Sequence, residues 1–422
     1  MPGHVHGRFA GAATSLLLVY VVAACGTTTP TSTAYAPTAS TLAGATPLAS
    51  PTPNISIVPV PQSRAVGQTA YSATLDAATA SKLQSTLNGI RGADKIPGVS
   101  AAVMFPDGSI WQGVSGQAVM SPSTSMTADT ILSAGSITKT FIAALICRLA
   151  EEGKLSLDDH LDKFVPDFTN ASKITIRQLL DHTSGIKDLF KVSAITSTFI
   201  KDPTRTWTAD QVLAKIGPQL YQPGSYYYYS NTEYVLLGKV VEKASGQSVS
   251  ALLRSDFLAP LGMTHTFLQT EEKVTGPQAH GYMTKGSSVS NFAGTMLPTT
   301  AEATAAGASG AIVSTASDLA VWANALYGGY VLDQADLAWM VDISPSLAIK
   351  SKTRPYGLGY GLGLETATVA GQTGWGHRGH LDGFWAAMEY LPASHITIVI
   401  LTNADWIDPV AAASTLGTVA LS

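Results

Sequence analysis

The segment Ser136-Ile137-Thr138-Lys139 places a hydroxyl and an amine three residues apart. A long, mostly apolar run follows and is closed by Glu151-Glu152-Gly153, which predicts a buried helix with a glycine just past its end. Ser136 would lie at the helix N-terminus with Lys139 one turn later on the same face, where free N–H groups favour an oxyanion. Because a serine needs a neighbour to become a nucleophile, the spacing predicts acyl-transfer chemistry. A capping serine beside a solvated lysine remains an alternative, since Ser184-Gly185-Ile186-Lys187 has the same spacing without an apolar helix after it.

A second group of polar side chains ends the tyrosine-rich segment Pro223-Gly224-Ser225-Tyr226-Tyr227-Tyr228-Tyr229-Ser230-Asn231. The phenol of Tyr229 could share and pass a proton near an amine, and the amide of Asn231 could hold a substrate carbonyl. The alternative for this segment is a loop that packs on the core, with Asn231 as the N-cap of the next helix.

A third group lies near the end of a predicted strand, in Trp375-Gly376-His377-Arg378-Gly379-His380. Its glycines let a ligand backbone approach closely, His377 adds a polar group, and a main-chain N–H here could complete an oxyanion hole. His377 and His380 could instead bind a metal ion. No third ligand stands at a recognisable spacing and there is no His-Glu-x-x-His segment, so we expect neither a metal nor another cofactor.

The elements that must position these residues change type along the chain. Residues 75–90 have the spacing of an amphipathic helix, and residues 99–105 and 109–114 flank the hairpin turn Pro106-Asp107-Gly108. The middle of the chain is mainly helical in pattern. Strands are predicted at residues 360–364, 374–377, 384–390 and 396–401, followed by a closing helix at 408–421. The pattern predicts an α/β (α+β) fold in which both chain ends build one antiparallel sheet, flanked by helices and carrying a helical insertion.

Composition separates the first 70 residues from the rest. The chain has 422 residues with 45% hydrophobic content, enough for a large core, and a net charge of −4 without the clustered basic excess of a nucleic-acid-binding protein. Residues 1–24 are predicted to be a signal peptide, and Val22-Ala23-Ala24-Cys25 resembles the lipobox of bacterial lipoproteins. An ordinary secretory signal is the alternative. Residues 25–70, rich in Thr, Ser, Ala and Pro, are predicted to be an extended tether, and residues 71–422 the folded domain.

These features predict an exported protein held at the outer face of the cell membrane by a lipid on Cys25. If Cys25 is lipidated, Cys147 remains and no intrachain disulfide is possible. Cys147 is then most simply a small core residue.

Taken in order, Ser136-x-x-Lys139, Tyr229-x-Asn231 and His377-x-Gly379 resemble the motifs of the penicillin-recognising serine hydrolases. This group includes class C β-lactamases, D-alanyl-D-alanine carboxypeptidases and related esterases. Residues 174–185 and the Pro223-Gly224 lead-in are also typical of the group. The resemblance runs from about residue 75 to the carboxyl end and implies a β-lactamase/transpeptidase-like fold.

The resemblance implies a mechanism in which Ser136 attacks a carbonyl and forms an acyl-enzyme. Lys139 and Tyr229 would share the proton transfers, Asn231 would position the acyl-side amide, and the N–H groups of Ser136 and His380 would hold the oxyanion. Lys139 acts as a base if burial or a neighbour lowers its pKa, and otherwise as a cation that keeps Tyr229 ionised. Both alternatives are open at the level of sequence.

Arg378 departs from the family pattern, because the carboxypeptidases usually carry a threonine at this position. Its guanidinium could clamp a substrate carboxylate, or fill the space and favour esters. The segment Glu-x-x-Leu-Asn that supports water attack in class A β-lactamases does not occur in the sequence. The predicted function is therefore a carboxypeptidase-like hydrolase that acts on D-Ala-D-Ala peptides and binds penicillins. The alternatives are an esterase or weak β-lactamase on the same scaffold and a slowly acylating penicillin sensor.

Overall fold

The computed structural model of the chain describes residues 75–285, 288–290, 297–353 and 359–422. The predicted signal peptide (1–24), Cys25 and the predicted tether (25–70) lie outside these residues, and they remain predictions. Among the described helices, none combines the length and the apolar character that crossing a membrane requires.

Both ends of the described chain contribute to one large antiparallel sheet. Its strand order is β11-β12-β13-β14-β15-β1-β2-β3, and the two ends meet where β15 pairs with β1, with Val99 opposite Thr402. This confirms the predicted sheet. The strands are β1 (Gly98–Met104), β2 (Ile110–Met120), β3 (Ser123–Ser125), β4 (Leu132–Ser133), β5 (Tyr226–Tyr228), β6 (Phe267–Leu268), β7 (Met283–Lys285), β8 (Ser288–Ser290), β9 (Ile312–Ser314), β10 (Lys350–Thr353), β11 (Gly359–Tyr360), β12 (Glu365–Val369), β13 (Gln372–Leu381), β14 (Phe384–Leu391) and β15 (Ile396–Thr402).

Helices dominate the chain between β4 and β11, as the sequence predicts. Thr175 and Thr208 each form a capping box with the glutamine three residues later, which fixes where two of the short helices begin. The helices are α1 (Ala77–Asp94), α2 (Thr138–Glu151), α3 (Ile176–Leu180), α4 (Ser193–Thr196), α5 (Thr198–Lys201), α6 (Ala209–Leu213), α7 (Asn231–Ser245), α8 (Val249–Leu253), α9 (Thr300–Ala306), α10 (Ala316–Tyr327), α11 (Gln334–Val341), α12 (Ser344–Ala348) and α13 (Pro409–Ala420).

The sheet is buried on both faces, and β1 shows how. Ala102 and Met104 face a core shared with α2 and α10, whereas Ala101 and Val103 face a core shared with α1 and α13. Successive strand residues point to opposite faces, so a strand covered on both sides must be apolar throughout. All seven residues of β1 are buried.

The chain between β11 and β12 differs from the sequence prediction. The strand predicted at residues 360–364 is wrong in its bounds, because β11 ends at Tyr360 and β12 begins at Glu365. Gly363 has a φ of +76°, and a Cβ placed on it would come 2.4 Å from the Cβ of Ala143 in α2. The backbone turns there because it packs against α2, which only a residue without a side chain permits.

Candidate active site

Ser136 lies in a tight turn that leads into α2. Gly135 to Ile137 form one turn of 3₁₀ helix, and the Thr138 hydroxyl donates to the Gly135 carbonyl oxygen at 2.6 Å. Gly135 has a φ of +51°, and a Cβ added to it would lie 2.6 Å from the backbone nitrogen of His380. The glycine therefore lets the serine turn press against β13. The Ser136 side chain is half-buried, so a substrate can reach it.

The Lys139 amine is fully buried and has three hydrogen-bond partners. Its Nζ lies 3.0 Å from Ser136 Oγ, 2.7 Å from Asn231 Oδ1 and 2.8 Å from the Ser309 carbonyl oxygen. Burial lowers the pKa of Lys139 to about 7, although the nearby carboxylates of Asp188 and Glu365 raise it. The amine is therefore neutral in a large fraction of molecules near neutral pH.

The phenol of Tyr229 completes the contacts of Ser136. Its hydroxyl is hydrogen-bonded to the Ser136 side chain, and Lys139 Nζ lies 4.9 Å from the centre of its ring. Burial raises the pKa of Tyr229 well above 10, so the phenol keeps its proton in the free protein. Of the two alternatives left by the sequence, this arrangement favours Lys139 as the base and Tyr229 as a proton donor.

Asn231 opens α7 but does not cap it. Ser230 is the N-cap residue, and the Asn231 side chain instead connects Lys139 to Asp188. Its Oδ1 accepts from Lys139, while its Nδ2 and backbone N–H donate to Asp188 Oδ1 at 3.1 and 3.0 Å. Asp188 therefore fixes the amide with its oxygen toward the lysine. The sequence does not point to Asp188, since no spacing or motif distinguishes it from other loop carboxylates.

The third predicted group lies on β13, which extends further than predicted and includes His380. His377 is buried, and its Nε2 lies 3.1 Å from the Tyr360 hydroxyl. Burial lowers the pKa of His377 to about 4, outweighing the neighbouring carboxylate of Glu365, so the ring is neutral at physiological pH. The ring centre lies 6.3 Å from that of Tyr229. The structure therefore brings the His377 strand next to the serine and the tyrosine.

Arg378 is paired within the protein. Its Nη2 and Nε donate to the two carboxylate oxygens of Glu365 at 2.9 and 3.3 Å, and its backbone N–H donates to Glu365 Oε1 at 2.9 Å. Both side chains are buried. Glu365, which the sequence did not single out, thus neutralises the guanidinium that could have clamped a substrate carboxylate.

The backbone of Gly379 and His380 lines the serine turn. A Cβ on Gly379 would lie 1.9 Å from the Ala134 carbonyl oxygen, so only glycine fits there. The Arg378 N–H points toward β12, and the N–H two residues later points to the same edge of the strand. His380 can therefore offer its N–H beside that of Ser136, as an oxyanion hole requires.

The histidine pair does not form a shared ligand site. The His380 ring packs on Trp385 with centroids 4.4 Å apart, whereas the His377 ring bonds Tyr360. In the described part of the chain, the metal-like grouping of side chains is Glu151, Asp333 and Asp336, which contains neither histidine. Cys147, the cysteine within the described ranges, is buried in α2, and burial raises the pKa of its thiol.

Comparison with known proteins gives concordant matches. The family model described as Beta-lactamase matches residues 83–416. Penicillin-binding protein 4 of Amycolatopsis lactamdurans is 28% identical over 341 residues, which cover 76% of this chain and 84% of that protein. The D-amino acid amidase of Ochrobactrum anthropi SV3, solved in complex with L-phenylalanine amide, is 28% identical with a TM-score of 0.71, covering 82% and 98% of the two chains. A D-stereospecific amidohydrolase from a Streptomyces species is 28% identical with a TM-score of 0.68, covering 80% and 97%.

Proposed function

The chain belongs to the β-lactamase family of serine hydrolases, and within that family we propose that it hydrolyses amide bonds through an acyl-enzyme, as a D-alanyl-D-alanine carboxypeptidase does. The observation that supports this most is the buried amine of Lys139, which lies 3.0 Å from Ser136 Oγ. A base with a pKa near the working pH is what activation of a serine requires.

The hydrogen bonds of Lys139 support its role as the base. A neutral amine has two N–H groups and one lone pair. Asn231 Oδ1 and the Ser309 carbonyl oxygen can only accept, so they take the two N–H groups and the lone pair is left for the Ser136 hydroxyl. Ser136 Oγ then attacks the substrate carbonyl as its proton moves to Lys139.

Tyr229 completes the proton transfer. Its hydroxyl donates a proton to the leaving nitrogen as the carbon–nitrogen bond breaks, and it regains a proton from the Lys139 ammonium. The amine is again neutral when water enters and hydrolyses the ester on Ser136. During both steps the N–H groups of Ser136 and His380 hold the negative oxygen, and losing one such donor typically reduces turnover by about 100-fold or more.

The carboxypeptidase proposal carries a second activity, slow acylation by penicillins. The match to a penicillin-binding protein supports it. Because the sequence has no Glu-x-x-Leu-Asn segment, we expect a long-lived penicilloyl-enzyme rather than rapid penicillin hydrolysis.

A second candidate is an amidase that releases a leaving group without a carboxylate. The pairing of Arg378 with Glu365 favours it, since a guanidinium already held by a buried carboxylate attracts a second carboxylate weakly. The structural similarity to a D-amino acid amidase points to the same substrate class.

Location at the cell membrane is a separate proposal, which depends on Cys25. A lipid on this cysteine would hold the domain at the outer face of the membrane. The full-length protein should then partition into the detergent phase, and Cys25→Ala should move it to the aqueous phase. Equal partition of both forms would contradict the anchor.

Four substrates separate the candidates: a D-Ala-D-Ala peptide, a D-amino acid amide, a short-chain p-nitrophenyl ester and a fluorescent penicillin. Release of D-alanine supports the carboxypeptidase, release of ammonia without D-alanine supports the amidase, and turnover of the ester alone supports the esterase. A stable penicillin label without turnover supports the sensor.

Ser136→Ala should abolish every activity, whereas Ser255→Ala, at an exposed serine on another helical segment, is the matched control. Full activity of Ser136→Ala would contradict the proposed nucleophile.

A further inference from the structure

Three buried polar side chains form a hydrogen-bonded cluster next to Tyr229, and the acyl-transfer steps use none of them. His182 and Ser184 come from the turn after α3, and Glu233 comes from the first turn of α7. All three are fully buried. Because this glutamate and histidine have no access to water, the position of the proton they share decides whether the pair is charged or neutral.

The hydrogen bonds around Ser184 show where the proton lies at one end of this cluster. The backbone N–H of Ile186 donates to Ser184 Oγ at 3.1 Å, so the hydroxyl proton of Ser184 is directed to Glu233 Oε1, its other partner. Glu233 Oε1 is therefore an acceptor.

At the other end, a backbone donor shows where the proton between His182 and Glu233 lies. The N–H of Ser230 donates to His182 Nδ1 at 3.3 Å, and an N–H can only donate. Nδ1 must then present a lone pair, and Glu233 Oε2, which contacts the same nitrogen, must carry the proton of that hydrogen bond. The neutral ring then carries its own proton on Nε2, which is buried and has no hydrogen-bond partner among the described residues. An N–H on Nδ1, whether in a charged pair or in a neutral ring, would instead face the N–H of Ser230 and leave that backbone donor without an acceptor.

The surrounding charges act in the same direction. Burial raises the pKa of Glu233 well above its usual value and outweighs the hydrogen bonds from Ser184 that lower it, while Asp181 and Asp188 raise it further. Burial lowers the pKa of His182, as do Lys139 and His377. The other titratable groups that pack on the His182 ring are the phenols of Tyr227, Tyr229, Tyr234 and Tyr360.

We propose that Glu233 is a neutral carboxylic acid that holds His182 in place, and that His182 in turn positions Tyr229 for proton transfer. The His182 ring centre lies 4.2 Å from that of Tyr229 and 4.7 Å from that of Tyr360, whose hydroxyl meets His377. His182 itself has a φ of +62°, a backbone region that side chains rarely adopt, and its carbonyl oxygen accepts from the Tyr228 N–H at 2.9 Å. This inference rests on the proposed acyl transfer at Ser136.

The neutral state of Glu233 also matters for Lys139. A negative charge at Glu233 raises the pKa of Lys139 and so reduces the fraction of neutral amine. Glu233 and His182 are therefore positioning residues that leave the lysine able to act as a base, without touching the substrate.

Two substitutions at Glu233 test the proposal. Glu233→Leu removes both hydrogen bonds, and we expect kcat to fall roughly 10-fold or more with little change in KM, because Tyr229 is misplaced. Glu233→Gln is neutral, donates to Nδ1 and accepts from Ser184, so it should restore most of the lost activity. The acid limb of its pH–rate profile should match that of the unmodified protein. If Glu233 were ionised, Glu233→Gln would move that limb to lower pH, and such a shift would overturn the proposal.

An infrared measurement tests the protonation state without relying on activity. The difference spectrum between the unmodified protein and Glu233→Gln at neutral pH should contain the C=O band of a protonated carboxylic acid. Glu242→Gln, an exposed position on the same helix, is the matched control. A carboxylate band in place of the acid band would overturn the inference even if the enzyme is active. Absence of hydrolysis and acylation by the unmodified protein would instead overturn the proposed function. If Glu233→Leu does not fold, the infrared spectrum and the pH profile of Glu233→Gln decide.

Discussion

The acid limb of the pH–rate profile is the sharpest prediction for this site. If neutral Lys139 is the base that activates Ser136, kcat/KM must fall as the amine becomes protonated. Burial lowers the pKa of Lys139 from 10.5 to about 7, so the fall should begin near neutrality.

The size of the effect follows from the pKa. With a pKa of about 7, roughly 10% of the amine is neutral at about pH 6 and roughly 1% at about pH 5. We therefore expect kcat/KM to fall about 100-fold between its plateau and about pH 5. The lowered pKa corresponds to a net of roughly 5 kcal/mol by which the site disfavours the ammonium over the amine, burial outweighing the attraction of the nearby carboxylates. The histidines near Ser136 do not account for such a limb, since burial lowers the pKa of His377 to about 4 and that of His182 well below 6.5.

The assay is kcat/KM for a p-nitrophenyl ester from about pH 5 to about pH 9, read at the isosbestic wavelength of p-nitrophenol. Lys139→Met removes the amine and should abolish both the activity and the limb. Lys187→Met is the matched control, because Lys187 belongs to the second Ser-x-x-Lys segment and its side chain has no part in the proposed chemistry.

Two results would refute this argument. Activity that still rises at about pH 9 without reaching a plateau would mean that Lys139 stays protonated near neutral pH and is not the base. A limb near neutrality that persists in Lys139→Met would assign the titration to another group.

The remaining predictions concern residues that the sequence did not single out. Asp188→Asn keeps an acceptor for the Asn231 amide but removes a charge that raises the pKa of Lys139, so the acid limb should move to lower pH; an unmoved limb would mean that Asp188 is uncharged in the free enzyme. Gly135→Ala should reduce kcat by about 100-fold, because its Cβ would lie 2.6 Å from the His380 nitrogen and push β13 away from Ser136; burst kinetics that match the unmodified protein would contradict this. Burial raises the pKa of Glu389 from 4.5 to about 8, so as the pH rises the unfolded chain releases this proton before the folded protein does, and the free energy of unfolding falls between those two pH values. Glu389→Gln should therefore raise the free energy of unfolding at about pH 8 by up to roughly 4 kcal/mol and leave it nearly unchanged at about pH 4.5. Urea denaturation at the two pH values measures the difference.

Much of the fold followed from local pattern. The helix after Ser136, the hairpin near the amino end and the strands at the carboxyl end all show in the spacing of apolar residues, because each element must bury one face or two. The boundary between β11 and β12 does not show in this spacing, because the turn at Gly363 depends on its packing against Ala143 of α2. A contact between residues so far apart in sequence leaves no mark on local periodicity.

The site divides in a similar way. The motifs predicted which side chains the structure brings together around Ser136, namely those of Lys139, Tyr229, Asn231 and His377. They did not point to Asp188, Glu365 or Glu233, each of which is a buried carboxyl group bonded to a motif residue or its neighbour. A single acidic residue in a loop or at a strand end has no distinctive spacing, so its partner is visible only in three dimensions.

The sequence by itself determined the family, the sheet formed from both ends of the chain, and the candidate nucleophile with its amine and phenol. Only the tertiary structure decided how those groups are protonated and whether Arg378 is paired with a carboxylate of the protein. The acceptors of Lys139 come from 92 and 170 residues away, and the partner of Arg378 lies on another strand. Proton affinity depends on burial and on neighbouring charges, and both are set by how distant segments pack.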